Sequence, residues 1–339
     1  MGRHELPAEV SDHGGSLSRA RRLFPHAPLP WIDLSTGINP HSYPVPDLPA
    51  TAFSALPDAA RLAELQRAAA KFYAAPSADK IVAAPGTQIL LPLVMGLVAP
   101  ARAVVLGPTY AEHARAARIA GHSVTETDDF EAISGADIAV VVNPNNPDGR
   151  VITRAALLGL ARRLASKGGV LVVDEAFMEV GPQHESVARD AGMPGLVVLR
   201  SWGKFFGLAG LRLGFALAGP HIASQLAARL GPWAVSGPAL ECGIAALSDG
   251  AWRTEMLSRL QAGAGRLDTM LGHHSLVVAG GTALFRFVRT DRAGRIFATL
   301  GRHGILIRNF EAMPDALRFG LPADEQAFAR LDAALAEAA

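Results

Sequence analysis

The sequence contains few of the groups that mark disulfide-bonded, zinc-binding or membrane-spanning proteins. Cys242 is its single cysteine, which excludes an intrachain disulfide, and no Cys or His pairs have zinc-finger spacing. We interpret the adjacent His273 and His274 as a polar turn and keep a metal site as the less favoured alternative. The sequence therefore predicts a protein of a reducing cytoplasm without a bound metal.

Long apolar runs and an excess of either charge are also missing. The longest apolar run, ILLPLVMGLVAPA from Ile89, falls short of the roughly 20 residues that a membrane span needs, and Pro92 interrupts it. We interpret this run as a buried helix, and the charged amino terminus has no apolar core of the signal-peptide type. Lys and Arg number 32 against 31 Asp and Glu, so nucleic acid and anionic membranes are poor candidate partners.

What the sequence does contain is a series of apolar segments of strand length, each followed by turn residues and a helical pattern. They begin near residues 80, 101, 137, 168, 195 and 211. Continuous rather than alternating hydrophobicity indicates strands buried on both faces, and so an α/β fold with a mostly parallel central sheet between helices.

Three regions are expected from this pattern. Residues 1–50 form an amino-terminal arm and substrate-covering segment, which needs another surface to hold it. Residues 51–260 form a large cofactor-binding domain, and residues 261–339 form a small carboxyl-terminal α/β domain.

Polar residues follow the predicted strands at their carboxyl ends, the edge where open α/β sheets bind ligands. Lys204 lies in SWGKFFGLAGLRLGF, and a desolvated lysine amine is a nucleophile toward carbonyl groups. Asp174 ends the apolar segment GGVLVVD and needs a cationic partner, for which a protonated pyridine nitrogen would serve. Gly86 and Thr87 open a helix whose amides can hold a phosphate, and Arg212 can bind the same dianion.

Two further groups suit a planar, phosphorylated cofactor. Asn146 offers an amide donor to a phenolate oxygen, and Tyr110 offers a ring that can stack on the cofactor. Each of these motifs is weak alone, because turns before helices and acidic strand ends are common. Their order along one chain makes the combination specific.

The motifs VVNPNNPDG, VVDEAF and SWGKFFGLAGLRLGF together resemble those of fold-type I pyridoxal 5'-phosphate enzymes of the aspartate aminotransferase superfamily, close to histidinol-phosphate aminotransferases. The resemblance covers nearly the whole chain. It implies that Lys204 forms the aldimine with the cofactor and that Asp174 pairs with its pyridine nitrogen. The cofactor-binding residues that it implies are Gly86, Thr87, Gln88, Tyr110, Asn146, Asp174, Ser201, Lys204 and Arg212.

Two positions depart from that family. Phe177 stands where the family usually has a tyrosine that is hydrogen-bonded to the cofactor's 3-oxygen. Leu56 stands where the family has a tyrosine that reaches the cofactor phosphate of the neighbouring subunit. Neither residue is needed for bond breaking, so both departures bear on cofactor affinity.

The amino-terminal segments DHGGSLSRARRLFP and WIDLSTGINP resemble the beginning of threonine-phosphate decarboxylases of cobalamin biosynthesis. In that family this arm folds over the active site, which implies substrate contacts from His13, Gly14, Gly15 and Asn39; a polar tail is the alternative for HGG. Arginines within apolar strands are usually paired, and related aminotransferases bind anionic substrate groups with matching arginines. Arg308 and Arg318 are thus expected to bind the substrate's phosphate and carboxylate, with the division between them open.

By this resemblance the expected reaction is pyridoxal phosphate-dependent decarboxylation of L-threonine O-3-phosphate to (R)-1-amino-2-propanol phosphate, the linker of the cobalamin nucleotide loop. The resemblance also implies a homodimer, and a partner enzyme of the corrinoid pathway stays open. Residue spacing alone equally allows transamination, so a histidinol-phosphate-type aminotransferase is the first alternative and a noncatalytic scaffold subunit of corrinoid assembly the second. A transcriptional regulator is discarded, because about 50 amino-terminal residues without a helix-turn-helix pattern are too few for a DNA-binding module.

Overall fold

The computed structural model describes residues 13–338 and divides into two compact units. The first unit contains Tyr43–Asn146 and Val151–Ala251. The second contains the described residues up to Ser42, then Pro147–Arg150 and the residues from Trp252 onward. Residues 13–42 and the residues from Trp252 onward thus lie in the same unit.

Strands and helices alternate over much of the described chain. The strands are β1 Ile32–Leu34, β2 Ile81–Ala84, β3 Arg102–Leu106, β4 Ser123–Thr127, β5 Ile138–Val142, β6 Val170–Asp174, β7 Leu196–Arg200, β8 Gly214–Ala218, β9 Val278–Thr282, β10 Phe285–Arg289, β11 Ile305–Phe310 and β12 Met313–Gly320. The α-helices are α1 Leu17–Leu23, α2 Thr51–Ser54, α3 Ala59–Phe72, α4 Thr87–Met95, α5 Glu112–Ile119, α6 Arg154–Ala165, α7 Trp202–Phe205, α8 Pro220–Leu230, α9 Gly237–Ser248, α10 Gly250–His273, α11 Ala293–Arg302 and α12 Glu325–Glu337.

The first unit contains a seven-stranded sheet in the order β2, β8, β7, β6, β5, β3, β4. Strands β7, β6, β5, β3 and β4 run parallel, whereas β8 is antiparallel to both β2 and β7. The expectation of a mostly parallel sheet is confirmed. The direction of β8 was not predicted, because continuous hydrophobicity reports burial on two faces and not strand direction.

Both faces of this sheet are covered. Val140 and Val172 belong to a core shared with helices α4, α5 and α8, and the intervening Val141 and Val173 are just as buried. The apolar run around Pro92 forms α4, as the sequence predicted. The edge strand β4 was missed, because its residues are mostly exposed and give no apolar signal.

The second unit contains a five-stranded sheet in the order β1, β11, β12, β10, β9. Strand β1 pairs in parallel with β11, so that Ile32 faces Ile305, and the other neighbours are antiparallel. The pairing of β1 with β11 therefore attaches the amino-terminal segment to the edge of this sheet, which provides the segment with a supporting surface.

Candidate active site

Lys204 lies in the short helix α7, directly after the buried strand β7. Its neighbours Trp202 and Phe205 are fully buried, and Lys204 itself is half-buried. The ring centroid of Phe177 lies 6.0 Å from its Nζ. The amine therefore lies beside buried aromatic side chains at the carboxyl end of β7, where a lysine can act as a nucleophile toward a carbonyl group.

Asp174 ends β6 and is only 6% exposed. Its Oδ1 accepts a hydrogen bond from the Ala176 amide at 3.0 Å, and its Oδ2 lies 2.9 Å from Nε2 of His113. Because a carboxylate can only accept, we assign the hydrogen to Nε2 of His113. These contacts fix the orientation of the carboxylate.

His113 is a site residue that the sequence analysis missed. It lies on α5 and is fully buried, and its ring meets the ring of Tyr110 edge-on, with the centroids 5.9 Å apart. The helix sequence EHARAARI shows nothing that separates this histidine from a surface residue, so only the structure reveals its contact with Asp174.

Tyr110 belongs to a short chain of hydrogen bonds. Its hydroxyl donates to Oε1 of Gln88 at 3.1 Å, and Nε2 of Gln88 donates to Glu112 at 2.8 Å. Burial raises the pKa of Tyr110 to about 12, and the nearby carboxylates of Glu112 and Asp174 act in the same direction. Tyr110 therefore stays a neutral donor and presents an aromatic ring near Asp174.

Gly86, Thr87 and Arg212 form a small anion cradle. Gly86 precedes α4 with a φ of +84°, and no side chain caps the amides of that helix. A Cβ at Gly86 would lie 2.8 Å from Nη2 of Arg212, so any side chain would fill the space between the helix terminus and the guanidinium. Free amides at a helix start and a facing arginine are suited to a phosphate. Ser201 follows β7 in extended conformation, half-buried.

The Asn-rich loop after β5 is fixed by its own side chains. Asn143 bonds through its amide group to the backbone of Ile152 in both directions, at 2.8 and 3.1 Å. Asn145 accepts from Thr109 at 2.7 Å and donates to the Pro108 carbonyl at 3.0 Å. Their neighbour Asn146 is half-buried; its contact with a cofactor stays a prediction.

A buried ion cluster lies beside these residues in sequence and in the sheet. Arg200, the residue before Ser201, donates to Glu175 at 2.5 Å and to Glu179 at 3.1 Å, and all three side chains are at most 2% exposed. Burial alone lowers the pKa of Arg200, but the two carboxylates outweigh it and raise that pKa. The cluster joins the ends of β6 and β7, which carry Asp174 and the Lys204 segment.

In the second unit, Arg308 and Arg318 lie directly opposite each other on β11 and β12. Arg318 is only 6% exposed and donates to the Ser35 carbonyl at 2.8 Å. Burial, together with the charge of Arg308, lowers the pKa of Arg318 to about 9, although Asp33 opposes this. Two adjacent guanidinium groups in a buried setting favour an anionic ligand, which would offset their repulsion.

The amino-terminal glycines are bound to the same region of the second unit. The Gly15 amide donates to Oγ of Ser35 at 2.7 Å, and that hydroxyl donates to Asp33 at 2.6 Å. A Cβ at Gly14 would come within 2.4 Å of the Ser35 carbonyl oxygen, so this position requires glycine. The HGG motif is thus docked on Ser35, whose carbonyl also accepts from Arg318, and is not a loose polar tail.

The remaining predicted residues have simpler surroundings. His13 is exposed. Asn39 is buried, and its Oδ1 accepts a hydrogen bond from the His41 amide at 2.8 Å, which forms a turn. Leu56 is 67% exposed and Phe177 is buried. Among residues 13–338, no group of three or more metal-ligating side chains could hold a metal ion, and no helix is long and apolar enough to cross a membrane.

Comparison with known proteins places the chain in a family. The model of the family "Aminotransferase class I and II" matches residues 32–330. A threonine-phosphate decarboxylase of Pseudomonas aeruginosa is 44% identical over 96% of this chain and 97% of its own length. Another from a Sinorhizobium species is 41% identical with the same coverage.

Solved structures agree on the fold. A histidinol-phosphate aminotransferase of Sinorhizobium meliloti, determined in complex with pyridoxal-5'-phosphate, covers 100% of this chain and 98% of its own with a TM-score of 0.81 at 21% identity. The family match spans most of the chain, and both decarboxylase relatives exceed 40% identity. The chain therefore belongs to the aminotransferase class I and II family.

Proposed function

We propose that this protein is a pyridoxal phosphate-dependent decarboxylase that converts L-threonine O-3-phosphate into (R)-1-amino-2-propanol phosphate and carbon dioxide. The observation that carries the proposal is the buried Arg318 beside Arg308, because a substrate with two anionic groups matches a pair of adjacent guanidinium groups. The two relatives named threonine-phosphate decarboxylase support it by matching over 96% of the chain.

The residues of the first unit fit the cofactor. The cradle of Gly86, Thr87 and Arg212 has room for an anion only because position 86 lacks a side chain. Asp174 is buried and oriented by His113 and the Ala176 amide, as a partner of a pyridinium nitrogen requires. Lys204 supplies the amine that binds the cofactor aldehyde. Ser201, Gln88, Asn146 and Tyr110 complete the proposed set.

When bound, pyridoxal phosphate supplies an electron sink that accepts the electron pair of the breaking bond at Cα. Asp174 keeps a proton on the pyridine nitrogen, and His113 keeps the Asp174 carboxylate in place by donating from Nε2. The buried cluster of Arg200 with Glu175 and Glu179 holds the two strand ends that carry these groups. These buried side chains would thus keep the charged groups of the site in fixed positions.

Lys204 has two tasks in this reaction. Its Nζ would hold the cofactor through the aldehyde carbon. When free, Nζ would carry the proton that the substrate's ammonium group loses and would donate it to Cα of the substrate after carbon dioxide has left.

Arg308 and Arg318 bind the anionic groups of the substrate in this proposal, and the docked Gly14 and Gly15 and the exposed His13 add contacts. Binding of the carboxylate by an arginine would orient the bonds at Cα, and this orientation would decide between loss of carbon dioxide and loss of a proton. We extend the proposal to a homodimer and to a cytoplasmic location, on the family resemblance and the single buried Cys242.

The proposal is tested by incubating cofactor-loaded protein with L-threonine O-3-phosphate, without a keto acid, and following the products by mass spectrometry. We expect aminopropanol phosphate to accumulate over many turnovers, and none with Lys204→Ala. Consumption of one substrate per site, leaving the pyridoxamine form, would instead indicate an aminotransferase. Absence of any reaction would favour a noncatalytic subunit.

A further inference from the structure

Glu112 is a buried acidic residue that the proposed reaction does not use. It is the first residue of α5 and is only 4% exposed. Its Oε2 accepts hydrogen bonds from Nε2 of Gln88 at 2.8 Å and from Nη1 of Arg115, three residues further along the helix, at 3.3 Å. A buried carboxylate is costly unless such donors compensate it. What Glu112 does for these neighbours is therefore a question about the site.

The contact with Glu112 determines the orientation of the Gln88 amide. A carboxylate oxygen can only accept, so the NH2 group of Gln88 has to face Glu112 and its Oε1 has to face the other way. The hydroxyl of Tyr110 lies on that other side and donates to Oε1 at 3.1 Å. Beside a neutral group that both donates and accepts, the amide can turn over and present its NH2 group to Tyr110. The carboxylate thus decides which end of Gln88 meets the hydroxyl.

Gln88 needs this anchor because its side chain is exposed. An exposed glutamine populates several rotamers, and holding it in one of them costs conformational entropy. A hydrogen bond to a charged group is stronger than one between neutral groups, so the Glu112 carboxylate can hold the amide. Gln88 is the second residue of α4, directly after Thr87 of the anion cradle. Glu112 thus connects the start of α4 with Tyr110.

The start of α5 also holds a second group of the site. His113, which follows Glu112 in sequence, lies 2.9 Å from Asp174 through Nε2, and its ring meets the Tyr110 ring edge-on. Two consecutive residues of one helix thus contact two different groups of the cofactor site. The Tyr110 side chain is in contact at its ring with His113 and at its hydroxyl with Gln88.

We propose that Glu112 is a positioning residue, which fixes the Gln88 amide and through it the Tyr110 hydroxyl. The Tyr110 ring then keeps the place where it can stack on the cofactor. The inference rests on the role of Tyr110 in the proposed function and deepens it, because it names a residue that acts on the cofactor site through others. Glu112 and the Tyr110 hydroxyl should accordingly act as one unit, so that removing both adds little to removing either.

A double-mutant cycle tests this unit. The full-length proteins are wild type, Glu112→Gln, Tyr110→Phe and the combination of the two. Glu112→Gln keeps the size of the side chain but offers Gln88 donors as well as an acceptor, so the Gln88 amide can turn over. The circular dichroism of the bound cofactor is recorded for each holoenzyme. The dissociation constant of pyridoxal phosphate is then measured by titrating the same protein after the cofactor has been removed.

Glu112→Gln and Tyr110→Phe should each raise that dissociation constant about 3- to 10-fold, the range expected for one lost hydrogen bond. Each should also weaken the circular dichroism of the cofactor. The combined variant should stay within about twofold of either single variant. Gln88→Ala changes an exposed residue, where folding is little affected, and should show the same loss.

Glu126→Gln is the matched control. It removes a carboxylate from the same unit, but Glu126 is exposed and accepts from Arg118 at 3.0 Å on the surface. Such a pair contributes little, so this variant should behave like wild type in both measurements.

An unchanged dissociation constant in either single variant would overturn the proposal, even if the melting temperature fell. A combined variant whose loss equals the product of the two single losses would overturn it too, since the two residues would then act independently. If wild type binds the cofactor but forms no aminopropanol phosphate, the proposed function fails. The cycle then still decides the role of Glu112, because neither measurement requires turnover.

Discussion

The buried charged side chains of the two units have different kinds of neighbours. In the first unit each buried charge has a partner of opposite sign or a matching donor: Asp174 faces His113, and Arg200 lies between two carboxylates. In the second unit Arg318 has another arginine opposite it, and its pKa is lowered. The cluster of the first unit is balanced by its own side chains, whereas two arginines opposite each other suit a site that binds an anion. We therefore propose that the first cluster positions other residues and that the arginine pair binds the substrate.

The largest effect should come from the lysine of the first unit. Lys204→Ala removes the amine that binds the cofactor and returns the proton, so the rate of product formation should fall at least about 1,000-fold. The absorbance of the lysine-linked cofactor should disappear as well. Lys71→Ala, which changes an exposed lysine of α3, is the control and should keep both. A Lys204→Ala protein that retained absorbance and turnover would refute the role of Lys204.

The buried cluster around Arg200 contains two carboxyl groups, those of Glu175 and Glu179. Their substitution should have unequal effects on the free energy of unfolding. Glu175 accepts hydrogen bonds from Ser186, from the Val187 amide and from Arg200. Glu179 accepts only from Arg200 among these, through Oε1, and its Oε2 has no hydrogen-bond partner among the described residues. Burial raises the pKa of both carboxyls, and the additional donors oppose this at Glu175. Because Glu179 has fewer donors, we predict that it takes up a proton more readily than Glu175.

Glu175→Gln should therefore lower the free energy of unfolding by about 3 kcal/mol, because it breaks a buried, multiply bonded ion pair. Glu179→Gln imitates the protonated acid and should cost less than about 1 kcal/mol. Since the folded-state pKa of Glu179 is raised, its stabilising effect is present at low pH and is lost as pH rises through that pKa. Urea unfolding at several pH values should show a flatter profile for Glu179→Gln than for wild type. Equal losses in both variants would contradict the assignment of the proton.

The places of Asp174 and Lys204 in the first unit could be predicted because each lies at the end of its own strand. Asp174 and Lys204 come directly after apolar segments, and the carboxyl ends of parallel strands meet at one sheet edge. His113 could not be predicted, since its contact with Asp174 spans 61 positions and its helix has an ordinary charged sequence. Continuous hydrophobicity also does not encode direction, so the antiparallel β8 was not expected.

The second unit was less predictable for a different reason. Arg308 and Arg318 could be singled out because they interrupt apolar strands. The pairing of β1 with β11 could not be predicted, since it joins segments more than 270 positions apart. Nothing in the sequence indicated that Ser35 contacts both Gly15 and Arg318. Contacts made by a backbone carbonyl and a small hydroxyl leave no pattern that spacing could show.

The arginine pair of the second unit is tested by Arg318→Ala. Loss of a buried guanidinium should lower kcat/KM for L-threonine O-3-phosphate about 100-fold, while the absorbance of the bound cofactor stays unchanged. Arg289→Ala is the matched control, because Arg289 lies on the same sheet but makes an exposed pair with Asp315, which contributes little. Steady-state kinetics that showed equal effects in the two variants would exclude Arg318 from substrate binding.

The smallest effect concerns Phe177, where the first unit lacks a hydroxyl that related enzymes direct at the cofactor's 3-oxygen. Its ring lies 6.0 Å from Nζ of Lys204, so Phe177→Tyr can add a donor without removing buried apolar surface. The cofactor's 3-oxygen shares a proton with the nitrogen that joins the cofactor to Lys204. A new hydrogen bond from the introduced tyrosine to the 3-oxygen weakens that oxygen's hold on the shared proton, so the proton should be lost more easily. The pKa read from the cofactor's absorbance should fall by about one pH unit, and kcat/KM should change less than about 10-fold. An unchanged pKa would show that the new hydroxyl points away from the cofactor. Phe205→Tyr, which alters a buried ring on α7 itself, provides the comparison for a merely steric effect.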